Sequence, residues 1–178
     1  MKNCIIVLVH VYFVFFIHVP SSAENLVLVT AKESNYSILV DPDAPKTVAL
    51  AARELQSYLE KISGKELAIV SSSNGPLIAL GDNAITRAAD LPDATIAADG
   101  FRIVTHQGNL LIYGHDTREG ELDPENGFSR GTLFGAYALL EDVLGVRWFM
   151  PGPSGEYVPQ TDRIEIEAID QIDAPDFR

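Results

Sequence analysis

Val48-Ala49-Leu50-Ala51-Ala52-Arg53-Glu54-Leu55-Gln56-Ser57-Tyr58-Leu59-Glu60-Lys61-Ile62 is the most regular stretch of the chain. Val48, Ala51, Ala52, Leu55, Leu59 and Ile62 recur at three- and four-residue steps, while Arg53, Glu54, Gln56, Ser57, Glu60 and Lys61 take the other side. This spacing predicts an amphipathic helix of about four to five turns laid on a core. Asp41-Pro42-Asp43-Ala44-Pro45 supplies helix-start chemistry before it. Ser63-Gly64 stops it, with Gly64 suited to the left-handed position that closes a helix.

Short strands are expected on either side. Asn25–Ala31 and Tyr36–Val40 precede the helix, and Leu67–Val70 and Leu77–Leu80 follow it across a polar loop at Ser71–Gly75. Asp82–Asp90 reads as a short helix. Gly100–Thr105 and Asn109–Gly114 form a hairpin turning at His106-Gln107-Gly108. Asp116–Gly127 is charged and aperiodic, which reads as a surface loop. A second long helix is expected over about Arg130–Leu144, apolar on most sides and therefore deeply buried, and Gly145 ends it. Arg147-Trp148-Phe149-Met150 reads as a strand, Pro151–Gly155 as a turn-rich loop, and Arg163–Glu167 as an edge strand. Two long helices cannot cover both faces of a large parallel sheet. The expected architecture is an α/β (α+β) two-layer sandwich, a mixed β-sheet with two main helices on one face.

The N-terminus speaks to compartment. Met1-Lys2-Asn3 is a short basic start, Cys4–Val19 is nearly all apolar, and Pro20 leads to the small residues Ser21-Ser22-Ala23. That layout is a signal peptide over residues 1–23, cleaved before Glu24, with a secreted or periplasmic destination. The rival is an uncleaved anchor, for which the apolar run is short of the roughly 20 residues that span a bilayer. Cleavage removes Cys4, the only cysteine of the 178 residues. No disulfide or thiol nucleophile then remains, and about 155 residues must hold together on one hydrophobic core. The full chain carries a formal charge of −12, which disfavours nucleic acid and anionic membranes as partners.

Few residues suggest chemistry. No nucleophile elbow, phosphate loop or dinucleotide fingerprint is present. His106 falls in a predicted turn, and His115-Asp116 has no second histidine or cysteine at ligand spacing. No catalytic residue, metal ligand or cofactor is therefore assigned. Gly131 and Gly135 read as close helix–sheet packing rather than as a phosphate cradle, since glycine lets backbones approach. The carboxylates of 116–125 read as a solvated loop, with weak calcium binding the alternative. Trp148 is either a core plug or a sugar-stacking face. Trp148 and Tyr157 are the candidate substrate-binding residues.

The run Gly131-Thr132-Leu133-Phe134-Gly135 through Leu144-Gly145-Val146-Arg147-Trp148-Phe149 resembles the N-terminal, non-catalytic domain of bacterial alpha-glucuronidases and related secreted glycosidase-like proteins. Ala51–Leu59 and Gly155-Glu156-Tyr157-Val158-Pro159 share the likeness. A more distant resemblance is to the N-terminal domain of beta-N-acetylhexosaminidases. The resemblance implies an accessory domain over residues 24–167 and a connector over 168–178 to a catalytic (β/α) barrel, so that this sequence is a fragment. The barrel would be the domain's partner and would carry the catalytic carboxylates. It would act on a polysaccharide or oligosaccharide. The alternative is a free-standing carbohydrate-binding or interaction module. A tail hanging free from Ala168 would favour the missing barrel, and a compact tail with an aromatic cleft elsewhere would favour the module.

Overall fold

The computed structural model describes residues 25–91, 95–119 and 128–174. Residues 1–23, the expected signal peptide, lie outside the described residues, as do 120–127 and the tail from 175.

The strands are β1 (Leu26–Thr30), β2 (Ser37–Val40), β3 (Ile69–Val70), β4 (Leu77–Leu80), β5 (Phe101–His106), β6 (Asn109–Gly114), β7 (Arg147–Trp148), β8 (Glu156–Tyr157), β9 (Arg163–Ile166) and β10 (Asp170–Asp173). The helices are α1 (Lys46–Ser63), α2 (Ala84–Ala88) and α3 (Gly131–Ala138). The main sheet has six strands in the order β10-β5-β6-β4-β2-β3. β3, β2, β4 and β6 run parallel, and β5 and β10 add antiparallel pairings. This is the expected mixed two-layer sandwich.

α1 spans the predicted helix and buries the predicted stripe, together with Tyr58. Leu55 and Leu59 are fully enclosed, each worth about 2 kcal/mol of burial. Gly64 takes φ +71° and its N–H returns to the Glu60 carbonyl at 2.7 Å, which satisfies an otherwise orphaned helix-end acceptor. α1 and α3 share one face of the sheet, packed with Ile38, Ile78, Ile103 and Ile112. The other face is smaller. There Leu39, Leu77, Ala79, Val104 and Leu111 are covered by Ile85, Ala89 and Leu91 around α2. α2 begins at a capping box, in which Asn83 accepts from the Ile85 and Thr86 N–H groups and Thr86 Oγ1 accepts from Asn83 N–H.

The second long helix is shorter in its α form than its periodicity predicts. α3 ends at Ala138 and continues as a π-helical turn over Leu139–Val143. Its burial is also one-sided: Leu133, Ala136, Leu139 and Leu140 are buried, whereas Val143 is exposed and Phe134 and Tyr137 are half-buried. The hairpin β5–β6 matches its prediction, with His106 opposite Asn109 and Gln107-Gly108 at positive φ. The strands read at Leu67–Val70 and Arg147–Met150 shorten to two residues each.

The first and last strands of the described residues depart most from expectation. β1 does not join the main sheet, but pairs with β9 in a separate antiparallel ladder. Arg163–Ile166 is thus an edge strand of that ladder. Nor does the stretch read as a connector from residue 168 hang free. Asp170–Asp173 forms the outer strand of the main sheet beside β5, and Ile169 exchanges hydrogen bonds with Thr105. The physical reason is a side chain that DQID does not itself contain. Arg102 on β5, with its side chain 5% exposed, donates from Nε and an Nη to the two carboxylate oxygens of Asp170, both at 2.8 Å. Tyr113 Oη sits 3.4 Å from the remaining Nη.

This pair sets a pH dependence. The Arg102 hydrogen bonds hold the Asp170 carboxyl below the usual carboxylate range. The folded-state pKa is the lower one, so the stabilisation is complete above the unfolded value of about 4 and is lost as pH falls through the folded value. Asp170 is half-exposed, which limits the effect through solvent screening. Asp170→Asn is expected to cost about 1–2 kcal/mol at neutral pH. Urea midpoints of the two proteins should converge as the solution is acidified. A constant gap across the acid range would show that the carboxylate charge is not what holds β10.

Candidate functional site

Trp148 and Tyr157 lie on the small hairpin β7–β8, but they do not form one site. Arg147 pairs with Tyr157 and Trp148 with Glu156, so the pleat sends Trp148 and Tyr157 to opposite faces. The Trp148 ring meets Tyr58 and Tyr137 edge-on, with centroids 5.4 and 5.6 Å away. Its Nε1 donates to Tyr58 Oη at 2.7 Å. Lys61 stands over the Tyr58 ring and pairs with Glu156 at 3.0 Å. Burial pushes the Tyr58 hydroxyl pKa up, and the Lys61 hydrogen bond holds the Glu156 carboxyl below its ordinary range. Trp148 is thus a half-buried plug between α1, α3 and the hairpin. Tyr157 is exposed, as are the neighbouring Phe149 and Met150.

The histidines also resolve. His106 is half-buried rather than free in its turn, and its Nε2 is enclosed with no hydrogen-bond partner. The backbone of His115 bridges two segments: its N–H donates to the Gly100 carbonyl and its carbonyl accepts from Gly131 N–H. Gly131 and Gly135 serve close packing, as their spacing suggested. A Cβ on Gly131 would stand 2.0 Å from the Gly100 oxygen, and one on Gly135 2.8 Å from Ile112 Cγ2.

Asp116, read as part of a solvated loop, is instead the cap of α3. Thr132 N–H donates to Oδ1 at 3.1 Å, and the Thr132 hydroxyl donates to Oδ2. Burial pushes the Asp116 carboxyl up, against the two Thr132 bonds that lower it.

Asp116 also lines a cleft that no single segment announces. The loops after β2, β4 and β6 open a cavity of about 300 Å³ lined by Asp41, Asp43, Asp82, Arg87, Asp116 and Arg118. Arg118 donates to the Asp43 carbonyl at 2.6 Å across it, and Arg87 faces Asp82 at 3.5 Å. At its rim Asp41 Oδ1 accepts from Asp43 N–H. Sequence reasoning missed this cleft because its residues are scattered over 41–118. The available signal was that each follows the end of a parallel strand. A second hollow of about 360 Å³ lies by Lys32, Lys61 and Gly64, at the negative end of α1, where the helix dipole works against an anion. Among the described residues no three His, Cys, Asp or Glu side chains converge as a metal site. Among them, too, no helix is long and apolar enough to cross a membrane.

This fold recurs in solved glycoside hydrolases. BtGH115A, a family GH115 4-O-methyl-alpha-glucuronidase with specificity for decorated arabinogalactans, superposes with a TM-score of 0.62 at 14% identity, over 84% of this chain and 18% of that one. A beta-hexosaminidase mutant (D313A) of Streptomyces plicatus, in complex with its product GlcNAc, superposes with a TM-score of 0.52 at 13% identity, over 88% of this chain and 24% of that one. The chain therefore spans less than a quarter of the length of either protein. No protein-family profile and no curated protein sequence matches it. The likeness is one of fold.

Proposed function

We propose that the chain is a non-catalytic accessory domain of a secreted, alpha-glucuronidase-like glycoside hydrolase acting in polysaccharide breakdown. The observation that carries this reading is the partial superposition: most of this chain matches under a fifth of a much longer glucuronidase. Two of the cleft's carboxylates have structural contacts: Asp116 caps α3, and one oxygen of Asp41 accepts within a turn. The basic, apolar and small-residue order of residues 1–23 supports export.

The test has two parts. Expressed in a secreting host, the chain should reach the medium with Glu24 as its N-terminus. Purified, it should leave p-nitrophenyl alpha-glucuronide and p-nitrophenyl N-acetyl-beta-glucosaminide intact. Turnover of either substrate would make the chain itself an enzyme and end the accessory reading. An uncleaved N-terminus would end the secreted part of it.

One observation favours the second reading, a free-standing carbohydrate-binding module: the tail is compact through Asp173, bonded into the sheet. Against an aromatic sugar platform stands the enclosure of Trp148 by Tyr58 and Tyr137.

A further inference from the structure

The topology makes the cleft more than a hollow between loops. After β2 the chain turns into α1 on one face of the sheet, and after the adjacent β4 it turns into α2 on the other face. Neighbouring parallel strands whose following loops diverge to opposite faces leave a crevice beyond their carboxyl ends. Open α/β sheets place their ligands in that crevice. Here it is a cavity of about 300 Å³, at the small end of the range of about 300–1,000 Å³ for ligand pockets.

The lining selects the chemistry. Asp41, Asp43, Asp82 and Asp116 outnumber Arg87 and Arg118, so an anion is repelled. Among the described residues the acidic groups do not converge as metal ligands. A neutral molecule that both donates and accepts hydrogen bonds around its whole rim complements both kinds of group. Carboxylates accept from hydroxyls, and the planar guanidinium forks donate to hydroxyl and ring oxygens. The carboxylates alone would mark only a solvated acidic surface. The concavity, the crossover and the interleaved guanidiniums together make a site.

We propose that the cleft between the β2, β4 and β6 loops is a binding site for one uncharged sugar unit, with Arg87 and Arg118 as donors and Asp41 and Asp82 as acceptors. That the polyhydroxylated ligand is a sugar rests on the glycosidase-related reading above. The location and the neutrality rest on the cleft itself.

Amide NMR on the full, isotope-labelled chain tests this, titrating galactose and N-acetylglucosamine separately, with sorbitol, citrate and calcium chloride as controls. At least one of the two sugars is expected to shift the amides of 41–44, 82 and 114–118 saturably and together, while the controls leave them in place. Arg118→Ala and, separately, Arg87→Ala should each weaken that binding about tenfold, as expected for one charged hydrogen-bond donor. Retained dispersion of the spectrum shows that each variant still folds. Absence of saturable shifts with both sugars, shifts confined to the Trp148–Tyr157 hairpin, undiminished binding in both arginine variants, or saturable binding of a control would each overturn the proposal. The hydrolysis and secretion assays are independent of this titration, so failure of the accessory reading and failure of the cleft can be told apart.

Discussion

Replacing Gly131 with alanine is expected to cost about 3 kcal/mol or more and to leave little folded protein at 37 °C. Three backbone segments meet at this glycine. His115 N–H reaches the Gly100 carbonyl at 3.1 Å, and Gly131 N–H reaches the His115 carbonyl at 2.9 Å. A methyl group on Gly131 would sit 2.0 Å from the Gly100 oxygen, 2.7 Å from His115 N and 3.0 Å from His115 O. All of these are backbone atoms tied into hydrogen bonds, so no rotamer change makes room. α3 would have to lift from β5 and β6, carrying Leu133, Ala136 and Leu140 off the core. Gly135→Ala is the comparison. Its nearest atoms are side-chain ones, Ile112 Cγ2 at 2.8 Å and Phe101 Cβ at 3.1 Å, which small packing shifts can relieve where hydrogen-bonded backbone cannot, so its cost should be smaller, about 1–2 kcal/mol. Urea denaturation followed by circular dichroism ranks the two. Equal and small effects would mean that the helix does not depend on this close approach.

Trp148→Ala is expected to destabilise the chain by about 2–3 kcal/mol. It removes two edge-to-face contacts and the Nε1–H bond to Tyr58, and it frees the β7–β8 hairpin from α1. Trp148→Phe keeps most of the packing and loses the hydrogen bond, at about 1 kcal/mol. Circular dichroism is the suitable signal, because Trp148 is the only tryptophan of the chain. A Trp148→Ala protein as stable as the parent would remove the plug and restore Trp148 as a surface platform.

How much of this was written in the sequence varies by element. α1 was legible to within a few residues because its apolar positions repeat at helical spacing and glycine closes it. The β5–β6 hairpin was legible from two apolar runs and a glycine turn. The close-packing role of Gly131 was legible, but not its partner, since Gly100 is far away in the chain. The π-helical turn was not legible: Leu139, Leu140, Val143 and Leu144 satisfy an α-helical pattern well enough to hide it. β10 was missed because Asp170-Gln171-Ile172-Asp173 has one apolar residue, and its pairing is specified by Arg102 on another strand. The cleft was invisible for the same kind of reason. Asp41, Asp82 and Asp116 become neighbours only once the crossovers set β2, β4 and β6 side by side. Asp116 looked like loop because a capping carboxylate and a solvated one have the same sequence signature.

The acidic outer strand has a further consequence. A sheet's last strand exposes unpaired N–H and C=O groups, a template on which a second copy can add and begin a fibre. Here the main sheet ends on one side in the two residues of β3 and on the other in β10, flanked by Asp170 and Asp173. Two copies meeting edge to edge at β10 would bring these carboxylates together, and at β3 there is too little strand to pair. The arrangement that fastens the tail to the domain therefore also guards against aggregation in a chain that has no disulfide to hold its unfolded form in check.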